Sequence, residues 1–289
     1  MPAQELEILE SHACFGGRMA RYEHPSRHCQ GPMRFAIFIP PHQPGEKLPV
    51  LTFLAGLTCS EETFMIKAGA QRYAAELGLI LVAPDTSPRN TGIAGENDDW
   101  DFGSGAGFYL DATQAPWQAH YQMFSYVTEE LPALIARNFP MSAGVQGICG
   151  HSMGGHGALV CGLRRPGQYQ SLSAFAPVSA PSQTPWGQKA FSRYLGDDTR
   201  QWLAYDSLEL LKSSGQQHPP ILIDQGRADP FLEAELKTEY LETLNDPQIT
   251  LRWHETYDHS YFFISSFIGE HLNFHARHLG AVPRSPAHD

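Results

Sequence analysis

Short apolar runs, each stopped by glycine or proline, alternate along this chain with stretches whose apolar positions recur at helical spacing. Residues 34–39 and 50–54 read as buried strands, ended by Pro40-Pro41 and by Gly56. In 62–77 the positions Phe64, Ile66, Ala70, Tyr73, Ala74 and Leu77 predict one helix closed by Gly78, and 79–83 a strand before Pro84. The Gly/Asp-rich segment 89–111 predicts an irregular surface loop. Residues 115–139 predict a long helix that Pro132 kinks or breaks. Strands follow at 145–149, 172–177, 221–224 and 249–253, and helices at 154–163, 231–244 and 261–278, with 280–289 expected to fray.

This alternation predicts an α/β fold with a mostly parallel central sheet and helices on both faces. Without a linker, internal repeat or low-complexity tract, residues 1–289 are expected to form a single domain. Charge narrows the partners. Twenty Lys+Arg against 31 Asp+Glu leave a net charge of −11, which repels phosphate backbones and anionic lipid, so neither nucleic acid nor a membrane is expected as partner. No apolar run reaches the roughly 18 residues of a membrane span. The opening segment Met1 to Glu10 carries three glutamates and no basic cluster, unlike a secretory leader. Five cysteines, odd in number and without CxxC, fit free thiols in a reducing compartment, so the cytoplasm is the expected location.

Gly150-His-Ser152-Met-Gly154 matches G-x-S-x-G between a predicted strand and a predicted helix. A serine at so sharp a turn needs small neighbours, and the helix start behind it favours developing negative charge. Serine is a weak nucleophile, so a histidine base and an orienting acid must follow in the order Ser, Asp/Glu, His, on loops after later strands. Asp229, five residues beyond the strand at 221–224, is preferred as the acid over Asp224 at the strand end. His259 in Tyr257-Asp-His-Ser260 is preferred as the base over His254. His151 and His156, fixed by the turn, are read as packing locally, and His271, His275 and His278 as a partly solvated helix face rather than a metal site. An oxyanion hole would combine the Met153 amide with that of Leu57, turned inward after Gly56; Cys59 would then lie beside the site.

With these residues in place, several longer segments become informative: 56–62 (GLTCSEE), 84–89 (PDTSPR), 100–113 (WDFGSGAGFYLDAT), 150–159 (GHSMGGHGAL), 185–191 (PWGQKAF), 224–232 (DQGRADPFL) and 257–264 (YDHSYFFI). Together they resemble the S-formylglutathione hydrolases, the esterase D family of α/β-hydrolases. The resemblance implies Ser152 as nucleophile, Asp229 as acid, His259 as base and the Leu57 and Met153 amides as oxyanion donors. It further implies hydrolysis of S-formylglutathione to glutathione and formate without metal or cofactor, a cytoplasmic location, often a homodimer, and at Cys59 a thiol whose modification blocks the site. Trp186 is a candidate wall of a small acyl pocket, and Lys67, Arg72 and Arg89 are candidate steering cations for the glutathione arm. Three positions depart from the family pattern: Ala55, Thr184 and the pair Ala228 and Pro230.

Two other enzymes remain open: a general carboxylesterase for small acetyl esters, and an acyltransferase of the mycolyl type, which a secretory leader would accompany. A catalytically silent hydrolase fold used for binding would be expected to lack one of the three site positions.

Overall fold

The computed structural model describes residues 6–282 and 284. Residues 1–5 of the opening segment, and 283 and 285–289 of the tail, lie outside the described residues.

Nine strands form one sheet: β1 (Glu7–Cys14), β2 (Gly17–Ser26), β3 (Gly31–Ile39), β4 (Leu48–Leu54), β5 (Ile80–Pro84), β6 (Met141–His151), β7 (Leu172–Phe175), β8 (Ile221–Gly226) and β9 (Ile249–His254). Their order is β1-β2-β3-β5-β4-β6-β7-β8-β9. The strands β5, β4, β6, β7, β8 and β9 are parallel, while β1, β2 and β3 add an antiparallel wing beside β5. The parallel part has the predicted architecture. The sequence predicts no strand before residue 34, because β1 is almost wholly exposed and β2 alternates buried with half-exposed positions, so neither carries a continuous apolar run.

The helices are α1 (Glu61–Lys67), α2 (Ala70–Leu77), α3 (Met123–Ser125), α4 (Leu131–Asn138), α5 (Met153–Arg164), α6 (Pro185–Leu195), α7 (Thr199–Trp202), α8 (Ser207–Ser214), α9 (Glu239–Glu242) and α10 (Tyr261–His278). Strand β7 shows how they flank the sheet. Leu172 and Ala174 meet Gly162 and Gly155 of α5, whereas Ser173 hydrogen-bonds histidines of α10. Successive strand residues point to opposite faces, so α5 and α10 cover opposite sides.

Several predicted helices differ in detail. The helix expected over 62–77 is two helices, broken where Gly69 turns left-handed at φ 66°. Over 115–139, α3 runs through a wide π turn (Tyr126–Glu130) into α4. Pro132 has no N–H to offer the Thr128 carbonyl one turn back, and Gln168 Nε2 donates to that carbonyl instead at 2.8 Å. The helix expected over 231–244 is a wide turn (Leu232–Leu236) and the short α9, separated where Lys237 adopts φ 53°. The 89–111 segment is irregular as expected but not superficial: Phe102, Phe108, Tyr109 and Leu110 are core residues.

Candidate active site

Ser152 sits between the end of β6 and the start of α5 with φ 59° and ψ −122°, a strained conformation for a residue with a side chain. Close packing holds it there. A Cβ on Gly150 would lie 2.0 Å from the Gly154 carbonyl oxygen, and one on Gly154 would lie 2.0 Å from that of Leu54, so both flanking glycines are required sterically. The Ser152 amide donates to Phe175 O at 3.0 Å, tying the turn to β7. Ser152 itself is buried.

Asp229 and His259 come from the loops after β8 and β9. These loops touch where a Cβ on Gly226 would lie 2.2 Å from the Tyr257 carbonyl oxygen. The His259 Nδ1–H donates to Asp229 Oδ2 at 2.6 Å, and Asp229 Oδ1 accepts the Phe231 amide at 2.9 Å. Gln225 Nε2 adds a bond to Oδ2 at 3.3 Å and is itself steadied by Thr238 Oγ1, 2.7 Å from its carbonyl. The ring of His259 rests on that of His151, the residue before Ser152, with centroids 4.5 Å apart.

The rival residues are occupied elsewhere. Asp224 receives Arg252 Nε and Nη2, each at 2.6 Å, and His271 Nε2 at 3.2 Å. Burial alone would raise its carboxyl, but His271 and Arg252 hold it well below the usual carboxylate range. His254 faces this same carboxylate, 3.4 Å away, and packs on Phe267.

The expected solvated histidine face on α10 is corrected by the structure: His271 and His275 are fully buried against β7. Because ionised Asp224 only accepts, the bonds acquire one direction: Ser171 O–H to His275 Nδ1, His275 Nε2–H to Ser173 Oγ, Ser173 O–H to His271 Nδ1, and His271 Nε2–H to Asp224. In this relay His271 and His275 each donate from one nitrogen and accept at the other, as neutral rings do, and burial lowers the pKa of both. Helix spacing read from sequence finds that the three histidines share a face, but not that polar serines await them on β7. His156 is likewise buried and packs locally, its Nε2 3.2 Å from Phe108 O, and burial lowers its pKa to about 4.

Gly56 lies against Ser152: a Cβ there would be 3.1 Å from Ser152 Cβ. In this loop the Thr58 amide donates to Gly105 O at 3.0 Å and the Cys59 amide to Gly56 O at 3.3 Å, while Leu57 precedes both. The Cys59 carbonyl is gripped by Thr86 Oγ1 at 2.6 Å and Arg89 Nη2 at 2.9 Å, and Tyr109 O–H donates to Ala55 O at 2.8 Å. The 84–89 and 100–113 segments thus brace the loop. Met153 opens the twelve-residue α5, placing its amide at the positive end of the helix dipole. The Cys59 thiol is partly buried, and desolvation raises its pKa.

Trp186 is buried and reaches His259 only through Phe231. Its ring packs on Phe231 at 4.9 Å, and Phe231 packs edge-on against His259 at 5.0 Å. Exposed Trp100 also meets Trp186, edge to face, at 5.6 Å. Sequence reasoning named Trp186 but not Phe231, although its place two residues after Asp229, beyond Pro230, was visible. Among the candidate cations, Arg89 is bound to Asp85 and the Cys59 carbonyl, and Arg72 lies over Phe15. Lys67 lies over Tyr261, beside the site. Thr184, a departure from the family pattern, caps α6 by accepting the Gly187 amide at 3.4 Å. All five cysteines are free. Among the described residues no group of three or more metal-binding side chains is placed to hold an ion, and no helix is long and apolar enough to cross a membrane.

Residues 26–274 match the Esterase family. S-formylglutathione hydrolase of Mus musculus is 49% identical over 280 residues, covering 96% of this chain and 99% of that protein. The structure of an S-formylglutathione hydrolase from Agrobacterium tumefaciens superposes with a TM-score of 0.91 at 46% identity, covering 95% of this chain and all of that one. A ferulic acid esterase from Anaeromyces mucronatus, 18% identical with a TM-score of 0.60 over 96% of this chain and 94% of its own, shares the fold alone.

Proposed function

The chain belongs to the S-formylglutathione hydrolases within the Esterase family, and on that premise we propose the residues through which it hydrolyses S-formylglutathione to glutathione and formate. Ser152 Oγ attacks the thioester carbonyl while His259 Nε2 takes its proton, and Asp229 holds the resulting imidazolium through Nδ1. The 2.6 Å bond between His259 and Asp229, next to the strained Ser152 turn, is the observation that carries these roles. The Leu57 and Met153 amides receive the oxyanion, each contributing roughly 3 kcal/mol, as donors in comparable sites do.

When the tetrahedral intermediate collapses, the C–S bond breaks and His259 returns its proton to the departing sulfur. A thiol of pKa about 8.5 leaves more readily than an alcohol, so acylation depends little on that proton. Water, deprotonated by His259, then adds to the formyl ester of Ser152; formate leaves and the serine recovers its proton. These steps need no metal or cofactor. The aromatic line of Trp186 and Phe231 beside His259 suits a wall that admits a one-carbon acyl group, and Lys67, over Tyr261, is the candidate cation for the anionic glutathione arm.

One continuous sheet supports a single domain, and five free thiols support a cytoplasmic setting. A homodimer is the proposed assembly, testable by light scattering. The decisive experiment compares kcat/KM for S-formylglutathione and a small aryl acetate, with Ser152→Ala as control. A higher value for S-formylglutathione, lost in the variant, is expected. A strong preference for the acetate would place the chain among general carboxylesterases, and substantial turnover by Ser152→Ala would remove Ser152 from the mechanism.

A further inference from the structure

His151 is not used by the mechanism above, yet it is buried in the middle of the site. Its ring lies 4.5 Å from that of His259 at a tilt of 43°, and 5.8 Å from that of Tyr261. Neither of its nitrogens makes a hydrogen bond of normal geometry, and the polar group that faces the ring is the backbone of His259 itself. A buried imidazole so weakly bonded stabilises the fold poorly compared with an apolar ring of its size, so an explanation is needed.

We propose that His151 is a positioning residue for the base, a flat ring on which His259 is seated so that its Nε2 stays aimed at the neighbouring Ser152. This rests on the assignment of His259 as base. Asp229 restrains the His259 ring only at Nδ1, and a single hydrogen bond leaves an imidazole free to turn about that contact. Ring contacts restrict this turn: Phe231 meets His259 edge-on at 78°, and His151 supplies the second surface.

His151 also precedes Ser152 directly, so the backbone turn that places the nucleophile places the seat of its base as well. Shifts of β9 and its loop are thereby referred to the nucleophile's own turn. The ring must be uncharged to accept an imidazolium beside it. Burial, followed by the nearness of His259, keeps its pKa well below the usual histidine value.

The test compares His151→Ala, His151→Gln and His151→Phe with wild type and with His259→Ala, each first checked by thermal unfolding. Ala and Gln remove the ring and are expected to lower kcat by about tenfold to hundredfold, the range for a misaligned catalytic group, with KM within about twofold. Phe restores a flat, neutral ring and is expected to bring kcat back within about threefold of wild type. The low-field proton signal of the His259–Asp229 bond is expected to broaden in Ala and Gln and to remain in Phe. Should Ala not fold, the contrast between Gln and Phe carries the test. The proposal is overturned if Gln keeps wild-type kcat or if Phe loses as much as Gln. Turnover surviving in His259→Ala would instead overturn the assignment of the base.

Discussion

Phe231 donates its backbone amide to Asp229 and sets its ring 5.0 Å from that of His259, so one residue touches both partners of the short bond at the centre of the site. Its amide occupies the carboxylate oxygen that His259 does not use. Asp229 is thereby held as an acceptor with both oxygens committed. Asp224, within β8, is committed to Arg252 and His271 instead.

The two aspartates should therefore separate cleanly on mutation. Asp229→Asn is expected to lower kcat by about 10⁴-fold with little change in unfolding midpoint, since the wrong histidine tautomer is then favoured. Asp224→Asn is expected to keep kcat near wild type but to lose about 3 kcal/mol of stability, because it leaves Arg252 without its buried partner. Steady-state kinetics and urea unfolding on both proteins check this, and the opposite pattern would exchange their roles.

Glycine is needed in the elbow for space rather than flexibility alone. Gly154→Ala would press a methyl group to 2.0 Å from the Leu54 carbonyl oxygen, and is expected to cost about 2–3 kcal/mol along with most activity. At Gly31 the nearest atom would be 3.9 Å away, so Gly31→Ala should fall within about 0.5 kcal/mol of wild type. Denaturant midpoints of the two variants provide the comparison.

Thiol chemistry should be slow and local. Cys29 and Cys149 are buried with pKa values pushed up to about 12, and Cys161 is buried as well, so Cys14 and Cys59 are the partly accessible thiols. Burial raises both of these too. Labelling by a bulky maleimide is expected to accelerate from pH 7 to pH 9, and inhibition to follow Cys59 alone. Mass spectrometry of the modified peptides beside residual activity tests this. Full inhibition of Cys59→Ser would contradict it.

Acid should unfold the protein from near pH 6.5 downwards. His24, His151, His156, His271 and His275 all have folded-state pKa values lowered primarily by burial. Below the ordinary histidine pKa the unfolded chain takes up protons that the folded chain refuses. Stability is thus fully present above about pH 6.5 and falls with acidity, by up to roughly 1.4 kcal/mol per pH unit for each ring. Urea titrations at pH 7.5, 6.0 and 5.0 measure the slope, and His275→Gln should reduce it. A flat profile over that range would mean that the buried rings are protonated in the fold.

The strands at the sheet's centre were legible because both their faces are covered, which forces continuous apolar runs such as those of β4 and β5. β1 and β2 escaped for the opposite reason: a wing with exposed positions carries glutamates and arginines that resemble a loop. Proline and glycine signals marked breaks without revealing their form. Pro132 widened a helix that a glutamine from another segment completes, and Gly69 split one helix into two. At the site, chain order and the loops after strands led to Ser152, Asp229 and His259, which the fold gathers at one end of the sheet. Phe231, Tyr261 and the contact of His151 with His259 were not legible, since ring packing between loops leaves no periodic trace in the sequence.

His259 stands between β9, an edge strand of the sheet, and α10, the last described helix. During synthesis the segments of Ser152 and Asp229 emerge first, but His259 arrives only with the last described strand, and the helix that anchors its loop comes later still. A nascent chain would therefore bear no working hydrolase until its sheet is closed at that edge, and appearance of thioesterase activity would time the last step of folding.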